Sequence, residues 1–284
     1  MIFPHSSGTA RPRSAAPLHA CDAHFHVIDP RFPLAEETDV RGTTLADYRR
    51  IQARIGTTRA VLVQAKRHGT NHDALLDALA RLGRDGRGVA VVLPDVTDSE
   101  LLRLHQGGVR GLRFSLWRPS DSVTSIDMVE PLAKRVANLG WHVQLHMSAD
   151  QIVASANMLQ RLPCSIVFDH MGRLPPAKGP DHPAFRVIAE RVDAGQAWVK
   201  LSGAYLNTAS GPPDYSDATR TAKAYVRLAP ERVVWGSDWP HLTETHKPDD
   251  ADLFDLARVW AGDDATFAML MAGNAERLYG FATE

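Results

Sequence analysis

Apolar residues come in short, mostly unalternating runs along the 284-residue chain. Eight of these runs read as strands: 21–28 "CDAHFHVI", 60–65 "AVLVQA", 88–94 "GVAVVLP", 108–116 "GVRGLRFSL", 142–147 "HVQLHM", 165–171 "SIVFDHM", 198–205 "WVKLSGAY" and 232–239 "RVVWGSDW". They are rich in Val, Leu and Ile without a polar face, as strands covered on both sides must be. Between most of them the spacing changes to a helical period. "NHDALLDALARLG" (71–83) ends at glycine, a common helix stop. "TDSELLRLHQGG" (97–108) opens with Thr97-x-x-Glu100, and "SADQIVASANML" (148–159) opens with Ser148-x-x-Gln151; both spacings predict a capping box. "DDADLFDLARVWAG" (249–262) follows the last strand, and "DATFAMLMAGNAERLYG" (264–280) closes the chain. Eight strand–helix units in this length predict a single α/β domain, a (β/α)8 TIM barrel over residues 21–284 with a C-terminal helix. A doubly wound open sheet would need a Gly-rich phosphate loop after the first strand. "DPRFPLAEE" stands there instead.

Residues 1–20 are rich in Pro, Ser and Arg and lack the apolar core of a secretory signal, so they predict a flexible arm or an extension at the barrel bottom. Hydrophobic residues make up 44% and charged residues 23%, and the net charge is −1. That balance gives no global basic field for nucleic acid or an anionic membrane, so anion binding must be local. No apolar run reaches the roughly 18 residues of a membrane span. The two cysteines, Cys21 and Cys164, make no disulfide framework. They suggest buried thiols in a cytoplasmic protein. The sequence leaves a monomer and a small homo-oligomer equally open.

A barrel gathers the C-terminal ends of its strands on one face, and the site sits there. Those ends carry His24 and His26, Lys66 with Arg67 and His68, Arg113 with Arg118, His146, Asp169 with His170 and Arg173, Lys200 with Ser202 and Tyr205, and finally Asp238 with His241. Side chains at i and i+2 of a strand share a face, so His24 and His26 can hold one divalent ion. With His146, His170 and Asp238 at other strand ends, the set suits nitrogen and oxygen ligation of zinc, or of manganese. Such an ion would activate water. Asp238 acting alone as general base is the metal-free alternative. Adjacent strand residues point to opposite faces, so Asp169 is expected to face away from the site or to orient its neighbours. Trp235 and Trp239 are expected to pack, and Asp22 and Asp29 to be structural.

"DAHFHV", "FDHMGR" and "WGSDWPH" together resemble the amidohydrolase superfamily, and within it the branch of 2-pyrone-4,6-dicarboxylate lactonases, sugar lactonases and sulfomuconolactone hydrolases. "VLVQAKRHGTNH", "GVRGLRFSL" and "NAERLYGF" are similar to that branch too, so the likeness runs from about residue 20 to 281. It implies a distorted (β/α)8 barrel. It implies that Asp238 takes a proton from the attacking water, and that His24 and His26 form the strand-one pair. His170 would polarise the scissile carbonyl or orient the water, and Arg113 and Arg173 would grip substrate carboxylates. Two positions depart from the dicarboxylate lactonases. His146 stands where they have tyrosine, and a strand-five histidine is a ligand in metal-binding relatives. Lys66 and Arg67 stand where they have a Ser-Cys pair. Arg113 occupies the place of a bridging group on strand four, so a mononuclear set of His24, His26, His146 and Asp238 is implied. Arg113, Arg173, Lys66, Arg67, His68, Tyr205 and His241 are the expected substrate contacts. The expected activity is hydrolysis of an anionic lactone. The rivals are a metal-dependent decarboxylase, a lactone isomerase and a non-catalytic anion-binding barrel.

Overall fold

A computed structural model describes residues 3–35 and 41–282. Eight parallel strands run in consecutive order: β1 Cys21–Phe25, β2 Arg59–Val63, β3 Gly86–Ala90, β4 Val109–Ser115, β5 His142–His146, β6 Ile166–Phe168, β7 Ala197–Leu201 and β8 Val233–Trp235. Helices lie between the strands, which gives the expected (β/α)8 architecture. The ring closes from β8 to β1 by irregular pairing beyond the strand ends. The Asp238 amide donates to the His24 carbonyl at 2.7 Å, and the His26 amide donates to the Trp239 carbonyl at 2.8 Å. Gly236 permits this approach, because a Cβ there would lie 2.6 Å from that of His24. Asp22 secures the same seam. Its carboxylate accepts from the Ser237 amide at 2.9 Å, from Ser237 Oγ at 2.6 Å and from Tyr48 Oη at 3.1 Å.

The larger core packs the helices on the outside of the sheet. A smaller one, with Cys21, Val61, Val167, Val234 and Tyr279, fills the barrel bottom. Cys21 is buried and Cys164 half-buried, both as free thiols. Trp235 and Trp239 are buried. Both predicted helix starts have their caps, but only Ser148 and Gln151 complete the reciprocal box. Glu100 instead bonds His72 and Arg103. The N-terminal arm is held where flexibility was expected. Buried Arg54 donates to the Ala10 carbonyl at 2.7 Å and to Ser6 Oγ at 3.0 Å, and Trp239 Nε1 donates to the Pro4 carbonyl at 2.8 Å. Among the described residues no helix is long and apolar enough to cross a membrane.

His142, at the start of β5, makes the stability pH-dependent. It is buried, and its Nε2 has no hydrogen-bond partner. Burial pushes its pKa from 6.5 down to about 3. Below the ordinary histidine value the unfolded chain takes a proton that the folded chain refuses. Stability therefore falls as pH drops from 6.5 toward 3, by up to about 1.4 kcal/mol per pH unit for one such group. His142→Phe keeps a ring in this space and removes the proton site. It is expected to be nearly neutral above pH 7 and to melt above the unmodified protein at pH 5. Parallel melting curves across that range would show that His142 carries none of the acid sensitivity.

Candidate active site

β1 delivers His24 and His26 to the barrel mouth on one face, and the turn after β8 brings Asp238 against them. His24 Nε2 and His26 Nε2 lie 3.3 Å apart, and Asp238 Oδ1 lies 3.5 and 3.6 Å from them. Ligand atoms at 2.0–2.1 Å from a tetrahedral zinc stand about 3.3–3.4 Å from one another, so the three atoms have the spacing of one coordination site. Their proton inventory agrees. His26 Nδ1 faces the Val63 carbonyl at 2.8 Å and must donate to it, which leaves Nε2 a bare acceptor. His24 Nδ1 lies 3.3 Å from Asp169 Oδ1. Lys200 Nζ lies 3.4 Å from the same Nδ1, so that nitrogen stands between a donor and an acceptor. With the ring proton on Nδ1, toward Asp169, His24 Nε2 is bare as well, the usual carboxylate–histidine arrangement behind a metal ligand. Burial, then Lys200, holds His24 well below the ordinary histidine range, so the ring is neutral. Two lone pairs and a carboxylate oxygen thus converge, and these residues fit a divalent cation.

Burial works against the charge of Asp238, yet its surroundings hold the carboxyl well below the usual carboxylate range. Tyr205 Oη donates to Asp238 Oδ2 at 2.6 Å. Asp238 has φ 62°, a left-handed conformation that costs a non-glycine residue strain and is often kept at functional sites.

The neighbouring turn decides between the two expectations for Asp169: it does not face away, and it contacts the neighbours it was expected to orient. β6 ends at Phe168, and the chain then turns through His170 and Met171 at φ 49° and 57°. Strand alternation stops at the mouth, so both Asp169 and His170 enter the barrel. Asp169 is fully buried. It contacts His24, accepts from Gln144 Nε2 at 3.1 Å, and lies 3.5 Å from Arg113 Nε and 4.0 Å from Lys200 Nζ. His170 Nδ1 meets Ser202 Oγ at 2.9 Å, and burial lowers its pKa to about 4. Among the described residues, a second group with ligand spacing is His24, Asp169 and His170.

Three of the four expected ligands converge, and His146 stands one place round the ring. It packs edge-on against His170 with centroids 5.0 Å apart, and its buried Nε2 has no partner. His26, His146, His170, Arg113, Arg173, Tyr205 and Asp238 line one cavity of about 420 Å³. Arg173 lies over the Trp117 ring at 4.0 Å, and its Nε and Nη1 are buried without a hydrogen-bond partner. Lys66 also lines this cavity, paired with Asp121.

Four expected substrate contacts read differently. Arg67 lines an adjoining depression with Asp121 and Val123, because the short helix after β2 turns it outward from the main cavity. His68 staples the loop. Its Nδ1 meets the Pro33 carbonyl at 2.9 Å and its Nε2 accepts from the Asp29 amide at 3.2 Å, so neither nitrogen is left for substrate. His241 is fully buried behind Tyr205, with both nitrogens engaged. Tyr205 lies in the turn after β7 rather than on it, and its hydroxyl is spent on Asp238. Asp169 and Trp117 are the site residues that the sequence pattern undervalued. The "DH" pair before a Gly-containing turn was the available signal for Asp169.

The chain matches the amidohydrolase family over residues 21–281. It is 34% identical to a 2-pyrone-4,6-dicarboxylate hydrolase from Comamonas testosteroni, over 95% of this chain and 93% of that protein. It is 31% identical to a 4-sulfomuconolactone hydrolase from Hydrogenophaga intermedia, over 94% of this chain and 91% of that one. Its fold superposes with a TM-score of 0.79 on a probable 2-pyrone-4,6-dicarboxylic acid hydrolase from Acinetobacter baumannii with citric acid bound; 26% of residues are identical, over 93% of this chain and all of that one. The barrel, the converging histidines with Asp238 and these matches over nearly the whole length lead to one assignment: the chain belongs to the amidohydrolase family.

Proposed function

We propose that this protein hydrolyses the ring ester of a small anionic lactone. The observation that carries the reading is an acceptor cluster facing an unspent cation in one cavity. His24, His26 and Asp238 converge on one side, and Arg173 presents buried, unpartnered N–H groups on the other. Buried N–H groups without an acceptor are costly, and a substrate carboxylate or sulfonate satisfies them in the bidentate geometry that arginine favours. Related proteins named for hydrolysis of a pyrone dicarboxylate and a sulfonated lactone support this substrate class.

In the proposed reaction, a water seated among the acceptors gives its hydrogens to Asp238 Oδ1 and a histidine Nε2, so its lone pair faces the lactone carbonyl. Asp238 takes the proton as the new C–O bond forms. His170 orients the carbonyl, the ring C–O bond breaks, and Asp238 returns the proton to the leaving oxygen. His24, His26 and Asp238 would hold a divalent ion, zinc by their donor chemistry. That ion would supply Lewis acidity to the oxygens undergoing reaction.

The test is turnover of 2-pyrone-4,6-dicarboxylate and 4-sulfomuconolactone in H₂¹⁸O. One ¹⁸O in the new carboxylate is expected. A rearranged lactone without label would make the protein an isomerase, and released carbon dioxide would make it a decarboxylase. Arg173→Gln is expected to raise KM about 10- to 100-fold with little change in kcat, the signature of a lost charge-assisted hydrogen bond made equally in ground and transition states. An unchanged KM would remove Arg173 from the anion site.

A further inference from the structure

A line of buried polar groups runs behind Asp238 into the helix Asp250–Ala261. Tyr205 Oη donates to Asp238 Oδ2 at 2.6 Å. His241 Nδ1 lies 3.0 Å from the same Tyr205 oxygen. His241 Nε2 lies 3.2 and 3.3 Å from the two carboxylate oxygens of Asp250. His241 and Asp250 are both fully buried.

We propose that Asp250 and His241 are positioning residues that act through Tyr205 to aim Asp238 at its water; the proposal rests on Asp238 being the base. A phenol has one proton, and the ionised Asp238 takes it at short range. The Tyr205 oxygen is then an acceptor, so His241 Nδ1 must donate to it. On the far edge of the ring, Asp250 fixes the orientation that aims Nδ1 at Tyr205. Without a polar partner at position 250 the buried ring is free to turn, and Nδ1 leaves Tyr205. The phenol oxygen then loses the donor that holds it, and Asp238 Oδ1 is no longer fixed toward His24 and His26.

A plainer role for Asp250 would be an acid in a helix first turn. Asp249 already caps that helix, accepting from the Ala251 amide at 2.8 Å, and Asp250 turns its carboxylate to His241. The rest of the surroundings hold Asp250 still. Its amide donates to Ser6 Oγ at 3.1 Å, Arg54 Nη2 bonds Asp249 at 2.6 Å, and the Ser7 amide donates to the Pro248 carbonyl at 3.0 Å. The arm and the turn therefore support one rigid chain of contacts.

The test combines ring ¹⁵N NMR of histidine-labelled whole protein with kinetics on 2-pyrone-4,6-dicarboxylate. The His241 ring, identified by its loss in His241→Gln, is expected to carry a proton on Nδ1, and Asp250→Leu to shift that signal as the contact with Tyr205 is lost. Asp250→Leu is expected to lower kcat about 10- to 100-fold with a smaller change in KM, while Asp250→Asn, which can still hold Nε2, keeps most of the activity. Asp250→Leu should cost little more in a Tyr205→Phe background, because the two changes act through one bond. Rescue by Asp250→Glu is expected to be partial. A bare Nδ1 in the unmodified protein, or full additivity of Asp250→Leu with Tyr205→Phe, overturns the proposal. If Asp250→Leu fails to fold, the ring of the unmodified protein and the kinetics of His241→Gln decide instead. If the unmodified protein opens no lactone, the hydrolase reading fails by itself, and the NMR arm still judges the chain of contacts.

Discussion

Asp238→Asn is expected to lower lactone turnover about 100- to 10,000-fold, the usual contribution of a positioned general base. The folded protein should survive the change, and the reason lies in the local hydrogen-bond chemistry. The asparagine carbonyl can still accept from Tyr205 Oη, which lies 2.6 Å from Oδ2 of the native residue. Its amide nitrogen would then face His24 Nε2 and His26 Nε2, 3.5 and 3.6 Å from the native Oδ1. It would donate where the native carboxylate repels. The melting temperature is therefore expected to hold or rise while kcat collapses, as when a functional residue sits in an arrangement that costs stability. Binding of zinc, followed by elemental analysis after dialysis, should weaken with Asp238→Asn and His26→Gln. It should change much less with His146→Gln, because His146 lies outside the triad that has coordination spacing. A kcat within about fivefold of the native value, far less than a base supplies, would take the base role from Asp238. Equal loss of zinc in all three variants would restore His146 to the ligand set.

The sequence carried the architecture well because its strands are buried on both faces and its helices have capped starts and glycine stops. It also placed His24, His26 and Asp238 together, since a barrel brings strand ends to one face whatever the loops do. It failed where periodicity stops. The expected strands 165–171 and 232–239 end in the structure at Phe168 and Trp235, just short of the chemistry. Beyond those points left-handed residues, including His170 and Asp238, set side-chain direction. Alternation alone therefore left Asp169 between facing away and orienting its neighbours. His68 and His241 were read as substrate contacts because a histidine at a strand end looks alike whether it faces a ligand or a backbone carbonyl. Only three-dimensional partners separate the two. The arm could not be placed for a similar reason, since it is held by Arg54 and Trp239, far away in sequence.

Asp169→Asn is expected to produce the largest loss of stability of any isosteric change in the barrel, and its cause is charge rather than shape. Burial opposes the charge of Asp169, yet its surroundings hold the carboxyl well below the usual carboxylate range. Since burial keeps His24 neutral, the charges that maintain it are Lys200 and Arg113. Lys200 is fully buried, and burial lowers its pKa to about 8, so it is still a cation at neutral pH. Its Nζ donates to the Ala23 carbonyl at 2.7 Å, a contact that supplies no negative charge. Neutralising Asp169 leaves Lys200 and Arg113 buried without their shared counter-ion. Breaking a buried pair in this way costs about 3–5 kcal/mol. In a domain of this size that is roughly a 10 °C fall in melting temperature. Turnover should fall too, because His24 loses the carboxylate that holds its Nδ1 proton and keeps Nε2 bare toward Asp238. Adding Lys200→Met separates the two effects. The apolar side chain removes one stranded cation and should recover part of the melting temperature of Asp169→Asn. It cannot return the carboxylate to His24, so activity should stay low. Recovery of both together would show that Asp169 acts only through stability, and recovery of neither would show that Lys200 is not the charge Asp169 balances.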